Sequence, residues 1–268
     1  MRYVEFGKEN HNIILLLHGG GLSWWNYKEA AKLLQDDYRI VLPILDGHAE
    51  SDRPFTSIED NADEIINFID EHFGGSVLLI GGLSLGGQIL LEILSRRNDI
   101  CKYAVIESAR VIPLKLTYSM IRPALASCYG LVQNKRFAKL QFRSLKIKED
   151  LYDDYFRDTC AISQNDMIAF LEANTMYSLK ESVAKCTAQV HVFVGEKENN
   201  IIKKSAKIIH QALQESKLQI LPGLYHGEFS INYAEDFANK LRGIMGSRST
   251  AYPNDRLFVF TNSRHYCE

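Results

Sequence analysis

Apolar and polar positions along the chain follow two alternating patterns. Short continuous apolar runs fall at 13–17, 38–42, 76–80, 103–107, 190–194 and 217–221. Runs this short, buried on both faces, read as central strands. Most of the intervals between them carry helical spacing. Ile58, Ala62, Ile65, Ile66, Ile69 and Phe73 recur at three and four residues, with Thr56 or Ser57 as the cap. Gln88–Leu94 begins a second helical pattern directly after the third strand run. Strands alternating with amphipathic helices predict an α/β protein with a mainly parallel, doubly wound sheet. Sites in such sheets lie at the carboxyl ends of the strands.

Two segments break the alternation. Residues from about 112 to 186 contain no convincing strand and read as several short helices, interrupted by Pro113 and Pro123. Ser163-Gln164-Asn165-Asp166 marks a helix start ahead of Met167, Ile168, Phe170 and Leu171. Near the end, Ser247–Ala251 is a linker-like break, and residues 252–261 read as a turn and an edge strand. The chain therefore divides into residues 1–110, an insertion at 111–187, residues 188–246, and an extension at 247–268 without an assigned role.

Composition narrows the class. With 268 residues and 46% hydrophobic content, the chain can bury one large core. The net charge of −2 gives no reason to expect a nucleic acid or a membrane surface as partner. No run of eighteen apolar residues occurs, and the first residues lack the apolar stretch of a signal peptide. Cys101, Cys128, Cys160, Cys186 and Cys267 are widely spaced and form no metal pattern. They read as reduced thiols, and the expected location is cytoplasmic. From Val111 to Lys148 every charge is positive, after which Glu149, Asp150, Asp153 and Asp154 cluster. That pattern reads as a solvated face paired with the acids. A sharper alternative is a surface that attracts an anionic substrate.

Candidate chemistry sits at the strand ends. Val77–Ile80 leads into Gly82-Leu83-Ser84-Leu85-Gly86, which leads into a helix. A serine between glycines at a strand-to-helix turn is held strained, with its hydroxyl projecting from the sheet. His18-Gly19-Gly20-Gly21 follows the 13–17 run. Such a loop can present backbone N–H groups to an oxyanion, here from Gly20 or Gly21 together with Leu85. His226 lies on the loop after the 217–221 run and can reach back to Ser84 as the general base. The acid that orients it is expected in Gly195-Glu196-Lys197-Glu198-Asn199. Glu198 is the candidate, and Glu196 and Glu107 are the alternatives. No dinucleotide or phosphate-loop spacing is present, and Asp46 and His48 lack the further histidines of a metallohydrolase.

Over roughly residues 1–246 the chain resembles the α/β-hydrolase-fold serine hydrolases. His18–Gly21 resembles the family's oxyanion loop, Gly82–Gly86 its nucleophile elbow, Gly195–Glu198 its acid loop with Glu where Asp is commoner, and Tyr225-His226-Gly227 its histidine loop. Leu42-Pro43-Ile44-Leu45-Asp46-Gly47-His48-Ala49-Glu50-Ser51 is similar to its D-x-x-G-H-G-x-S segment, with Asp46 directly before Gly47 and Ala49 for the usual glycine. The resemblance implies a helical lid at 111–187 that shapes the acyl or alcohol pocket, with Met167, Phe170, Leu171 and Tyr177 as candidate lining residues. It implies a small-molecule ester or thioester substrate with a small to medium acyl group, no cofactor and no metal. The protein is expected to be a monomer or homodimer. Carbon–carbon bond hydrolysis or lyase chemistry, or a non-catalytic small-molecule receptor, are the other functions open to the same constellation.

Overall fold

The computed structural model describes residues 1–246; the turn and edge strand expected within 247–268 lie outside the described residues. One seven-stranded sheet forms the frame. Its strands are β1 (Tyr3–Phe6), β2 (Ile13–Leu17), β3 (Arg39–Pro43), β4 (Val77–Leu83), β5 (Cys101–Glu107), β6 (Gln189–Gly195) and β7 (Ser216–Leu221), in spatial order β1-β3-β2-β4-β5-β6-β7. All neighbours are parallel except β1, which pairs antiparallel with β3 from Tyr3↔Pro43 to Phe6↔Ile40.

The continuous apolar runs have a direct cause. Along β2, Leu15 and Leu17 enter one hydrophobic cluster, and Ile14 and Leu16 enter another. Val41 and Ile40 divide the same way on β3, and Ile80 and Leu79 on β4. Helices cover both faces, so both sides of each central strand must be apolar.

The helices are α1 (Lys28–Leu34), α2 (Ile58–Phe73), α3 (Leu85–Arg96), α4 (Lys115–Cys128), α5 (Lys135–Ser144), α6 (Tyr152–Ala161), α7 (Gln164–Met176), α8 (Asn200–Ala212), α9 (Glu228–Asn232) and α10 (Ala234–Ile244). Helix α2 shows how local chemistry sets the ends. The Ser57 hydroxyl accepts from the Asp60 N–H at 2.9 Å, Glu59 and Asp60 occupy the first turn, and Gly74 closes the helix at φ 67°. Helix α8 opens on Asn199, whose side chain accepts from the Ile201 and Ile202 N–H groups. Between β5 and β6 the chain builds only helices and 3-10 turns, as its pattern predicts. Helix α4 carries Pro123 within its length. Among the described residues no helix is long and apolar enough to cross a membrane, and Cys101, Cys128, Cys160 and Cys186 are free thiols.

Register brings the strand ends to one rim. Leu17 pairs with Gly82, Leu83 with Glu107, Glu107 with Phe193 and Gly195 with Leu221. The loops that leave these positions carry His18, Ser84, Ser108, Glu198 and His226.

Candidate active site

Ser84 connects β4 to α3 at φ 51° and ψ −107°, a conformation that non-glycine residues rarely adopt. Such a backbone costs about 1–3 kcal/mol and persists only when its surroundings enforce it. Enforcement is visible. The Ser84 N–H donates to the Glu107 carbonyl at 2.8 Å, and the Ser84 carbonyl accepts from the Gln88 N–H at 3.0 Å. The flanking glycines permit the turn. A Cβ at Gly82 would strike the Gly86 carbonyl, and one at Gly86 would strike the Leu17 and His18 carbonyls. The close approach of β2, β4 and α3 therefore excludes side chains at both positions.

The three expected side chains meet here. Ser84 Oγ lies 3.0 Å from His226 Nε2, and His226 Nδ1 lies 2.7 Å from Glu198 Oε2. Glu198 is buried, whereas the His226 side chain is 47% exposed and open to an incoming molecule. Burial alone would raise the Glu198 carboxyl. The His226 hydrogen bond and charge, the Ser108 hydroxyl at 2.7 Å and the Gly195 N–H at 2.9 Å outweigh it, and the group titrates below its ordinary range. Glu198 is thus held as a carboxylate facing the imidazole.

The other two acids stand elsewhere. Glu196 Oε2 accepts from the Gly223 N–H at 2.7 Å, at the exposed surface of the same loop. Glu107 is buried, and its Oε1 accepts from the Ser230 N–H at 3.4 Å. Burial, the first and largest cause, pushes the Glu107 carboxyl up to about 7.

Backbone bonds lace the acid loop to the histidine loop. The Glu196 N–H donates to the Leu221 carbonyl and the Lys197 N–H to the Leu224 carbonyl, both at 2.9 Å. A Cβ at Gly195 would collide with the Leu224 carbonyl, so the two chains cross in contact. Ser108 adds a side-chain tie that sequence reasoning missed. Its hydroxyl donates to Glu198 Oε1 and accepts from the Gly227 N–H at 3.3 Å, and its own backbone sits at φ 58°. The signal available in the sequence was its position one residue beyond a strand end, which is too weak to single out a serine.

Two histidines hold the glycine loop. The His18 Nδ1–H donates to the Gly19 carbonyl at 2.9 Å, and His18 Nε2 accepts from the Leu45 N–H at 3.1 Å. The His48 Nδ1–H donates to the Asp46 carbonyl at 3.0 Å, and His48 Nε2 accepts from the Gly21 N–H at 3.0 Å. Burial is the main cause that lowers both, His48 to about 4, so both rings are neutral, as these bonds require. Gly21's N–H is therefore engaged, which leaves Gly20 as the loop's candidate donor. A methyl group at Gly20 would come within 3.4 Å of Leu85 Cδ2 and 3.5 Å of the Phe170 ring. Gly20, Leu85 and Phe170 therefore share one spot. The Leu85 N–H begins α3 and has no intrahelical acceptor.

Of the expected lining residues, Phe170 reaches the site, stacked on His48 with ring centres 4.7 Å apart. Met167 and Tyr177 are buried in the same hydrophobic cluster, and Leu171 packs against it half-buried. Burial, with the charges of Glu92 and Glu59 behind it, pushes the Tyr177 hydroxyl up. Asp46 and His48 support loops, and among the described residues no group of three His, Cys, Asp or Glu side chains could hold a metal ion.

Comparison with known proteins agrees with this geometry at the level of fold. Residues 12–157 match the α/β-hydrolase-fold family. The chain belongs to the α/β-hydrolase-fold family. A thermophilic esterase from Thermogutta terrifontis superimposes with a TM-score of 0.73 at 16% identity, covering 91% of this chain and 93% of that one. The esterase EaEST from Exiguobacterium antarcticum gives 0.75 at 19%, covering 91% and 95%. A bromoperoxidase from Bacillus anthracis gives 0.76 at 17%, also covering 91% and 95%. At these identities the likeness is one of fold. No curated protein matches the sequence.

Proposed function

We propose that the protein is a serine hydrolase that cleaves a carboxylic ester or thioester of a small to medium acyl group. The observation that carries this reading is the continuous hydrogen-bonded line from Ser84 Oγ through His226 to the buried Glu198, 3.0 and 2.7 Å. In this reading His226 Nε2 takes the Ser84 proton as Oγ attacks the substrate carbonyl. The resulting imidazolium is stabilised by Glu198. The N–H groups of Gly20 and Leu85 receive the developing oxyanion. Collapse expels the alcohol or thiol, which takes the proton from His226 and leaves an acyl group on Ser84. Water, deprotonated by the same imidazole, then releases the acid. No step calls on a cofactor.

Helices α4 to α7 act as the lid in this account. Phe170 closes the acyl side of the site, and Met167 and Leu171 continue the apolar wall behind it. The test is turnover of a p-nitrophenyl ester series. Wild-type protein should hydrolyse the short and medium esters. Ser84→Ala should lose at least about three decades of kcat while keeping its thermal unfolding transition. A folded Ser84→Ala protein with near-wild-type kcat would remove Ser84 as the nucleophile.

A further inference from the structure

Helix α7 is fastened to the core at both ends. At its start, Asp166 Oδ1 accepts from the Phe55 N–H at 2.8 Å, and Asp166 Oδ2 accepts from the Ser163 hydroxyl at 2.6 Å. At its end, Asn174 Nδ2 donates to Gln88 Oε1 at 2.9 Å. Gln88 belongs to α3, and its N–H donates to the Ser84 carbonyl. Asp166, Phe170 and Asn174 follow one another at a spacing of four, so all three share one face of α7. Phe170, in the middle, is the residue that meets Gly20 and the His48 ring.

The contact at the end of α7 is reciprocal, and its direction is forced. Arg110 Nη2 donates to Asn174 Oδ1 at 2.6 Å and to the Asn174 carbonyl at 3.1 Å. A guanidinium only donates, so Asn174 turns its oxygen to Arg110 and its Nδ2 to Gln88. Gln88 must then answer with Oε1, which leaves Nε2 for the Arg110 carbonyl at 2.7 Å and the Asn174 carbonyl at 2.9 Å. Gln88 is fully buried, so breaking the pair would strand amide atoms away from water. Arg110 has no carboxylate partner among the described residues, and burial lowers it. A late carbonyl of α7 accepts from it instead, at the negative end of that helix.

We infer that Gln88 and Asn174 are positioning residues that set acyl-chain selectivity: their amide pair holds α7 at the depth where Phe170 meets Gly20. This role rests on the proposed ester hydrolysis at Ser84. A methyl group at Gly20 would lie only 3.5 Å from the Phe170 ring, so a small displacement of α7 changes the room beside the oxyanion loop. The triad is held by the β4–α3 turn and by the acid and histidine loops, and none of the bonds that hold it passes through α7. Loosening α7 should therefore change which acyl chain fits rather than how Ser84 is activated.

Asn174→Ala tests this and leaves α3 untouched. On p-nitrophenyl esters, kcat/KM for the hexanoate relative to the acetate should rise about tenfold, the scale of one methylene in an apolar pocket. The change should lie in KM for the longer ester, with kcat for the acetate near the wild-type value. In Phe170→Ala, which already lacks the ring, adding Asn174→Ala should shift the ratio by less than about twofold, because residues that act through one another are not additive. Hydrogen exchange gives a reading independent of turnover. Amides of residues 167–176 should exchange at least about tenfold faster in Asn174→Ala, while those of β4 and β5 keep their wild-type rates. Asn174→Asp keeps the acceptor for Arg110, loses the donor to Gln88, and takes the place of Asn174→Ala should that protein fail to fold. A folded variant with wild-type chain-length preference, a shift that adds in full to that of Phe170→Ala, or unchanged exchange in α7 overturns the inference. A wild-type protein that hydrolyses no ester would instead remove the hydrolase reading, and the exchange comparison would still uphold or overturn the hold on α7.

Discussion

Glu198 accepts hydrogen bonds from three directions, from His226, Ser108 and the Gly195 N–H. That convergence keeps it ionised despite burial, and it makes the acid separable by mutation from its two neighbours. Glu198→Gln should lower kcat by roughly two to four decades, because the imidazolium loses its counter-charge. Glu196→Gln, at the surface on Gly223, should leave kcat nearly unchanged, and Glu107→Gln should do little to the chemistry. Steady-state kinetics on one p-nitrophenyl ester would check all three; a damaging Glu107→Gln beside a silent Glu198→Gln would move the acid to the earlier strand. Ser108→Ala removes one donor to a charged group, an interaction of about 1.5–3 kcal/mol, and should lower kcat about tenfold or more. Ser84, His226 and Glu198 were legible in the sequence because each lies in a short loop directly after an apolar run. Ser108 was not, because its role exists only after residues 90 apart in the chain are brought together. The same is true of His18 and His48. Their sequence neighbourhood is glycine-rich loop, and the bonds their Nε2 atoms accept, from the Leu45 and Gly21 N–H groups, cross from one strand end to the next.

At the level of elements, β2, β4 and α3 meet so closely that Gly86 has no room for a methyl group. Gly86→Ala should therefore destabilise the fold by several kcal/mol, on the scale of overpacking in a rigid core, or prevent soluble expression. Gly130→Ala has open space at its Cβ and serves as the control; both are read by thermal unfolding. Phe170 belongs to α7 and lies against Gly20 and the His48 ring. Phe170→Ala should shift chain-length preference among esters by about 1–3 kcal/mol in relative kcat/KM, toward longer acyl groups. Six of the seven strands were legible as apolar runs, and the helical insertion as the absence of one. Strand β1 was not. It is a four-residue edge strand with no fully buried position, so it lacks the pattern that marks the central strands.

The whole molecule carries buried titratable groups that pull in opposite directions as pH changes. Glu107 keeps its proton in the folded chain up to about 7, whereas the unfolded chain releases it near the ordinary glutamate value. Between roughly 4.3 and about 7 the folded state therefore binds more protons, and this group's contribution to stability falls as pH rises, levelling off above. The size is roughly 3 kcal/mol at order of magnitude. His48 and His191, each lowered to about 4 chiefly by burial, act with the reverse sign: their contribution is full above the ordinary histidine value and is lost as pH falls toward 4. A melting curve of wild-type protein mixes these effects. The difference between wild type and Glu107→Gln isolates the first. The variant should gain stability relative to wild type as pH rises from 5 to 7.5, and a difference that is flat with pH would contradict the buried, protonated Glu107.

Labelling with a fluorophosphonate, followed by peptide mass mapping, tests the proposed chemistry most directly. The reagent phosphonylates a serine only when a neighbouring base activates it and donors hold the oxyanion. The account predicts stoichiometric labelling of the wild-type protein at Ser84, no label at that peptide in Ser84→Ala, and labelling slowed by at least two decades in His226→Ala. A folded wild-type protein that stays unlabelled at Ser84, or is labelled at another serine at the same rate in all three proteins, would contradict it.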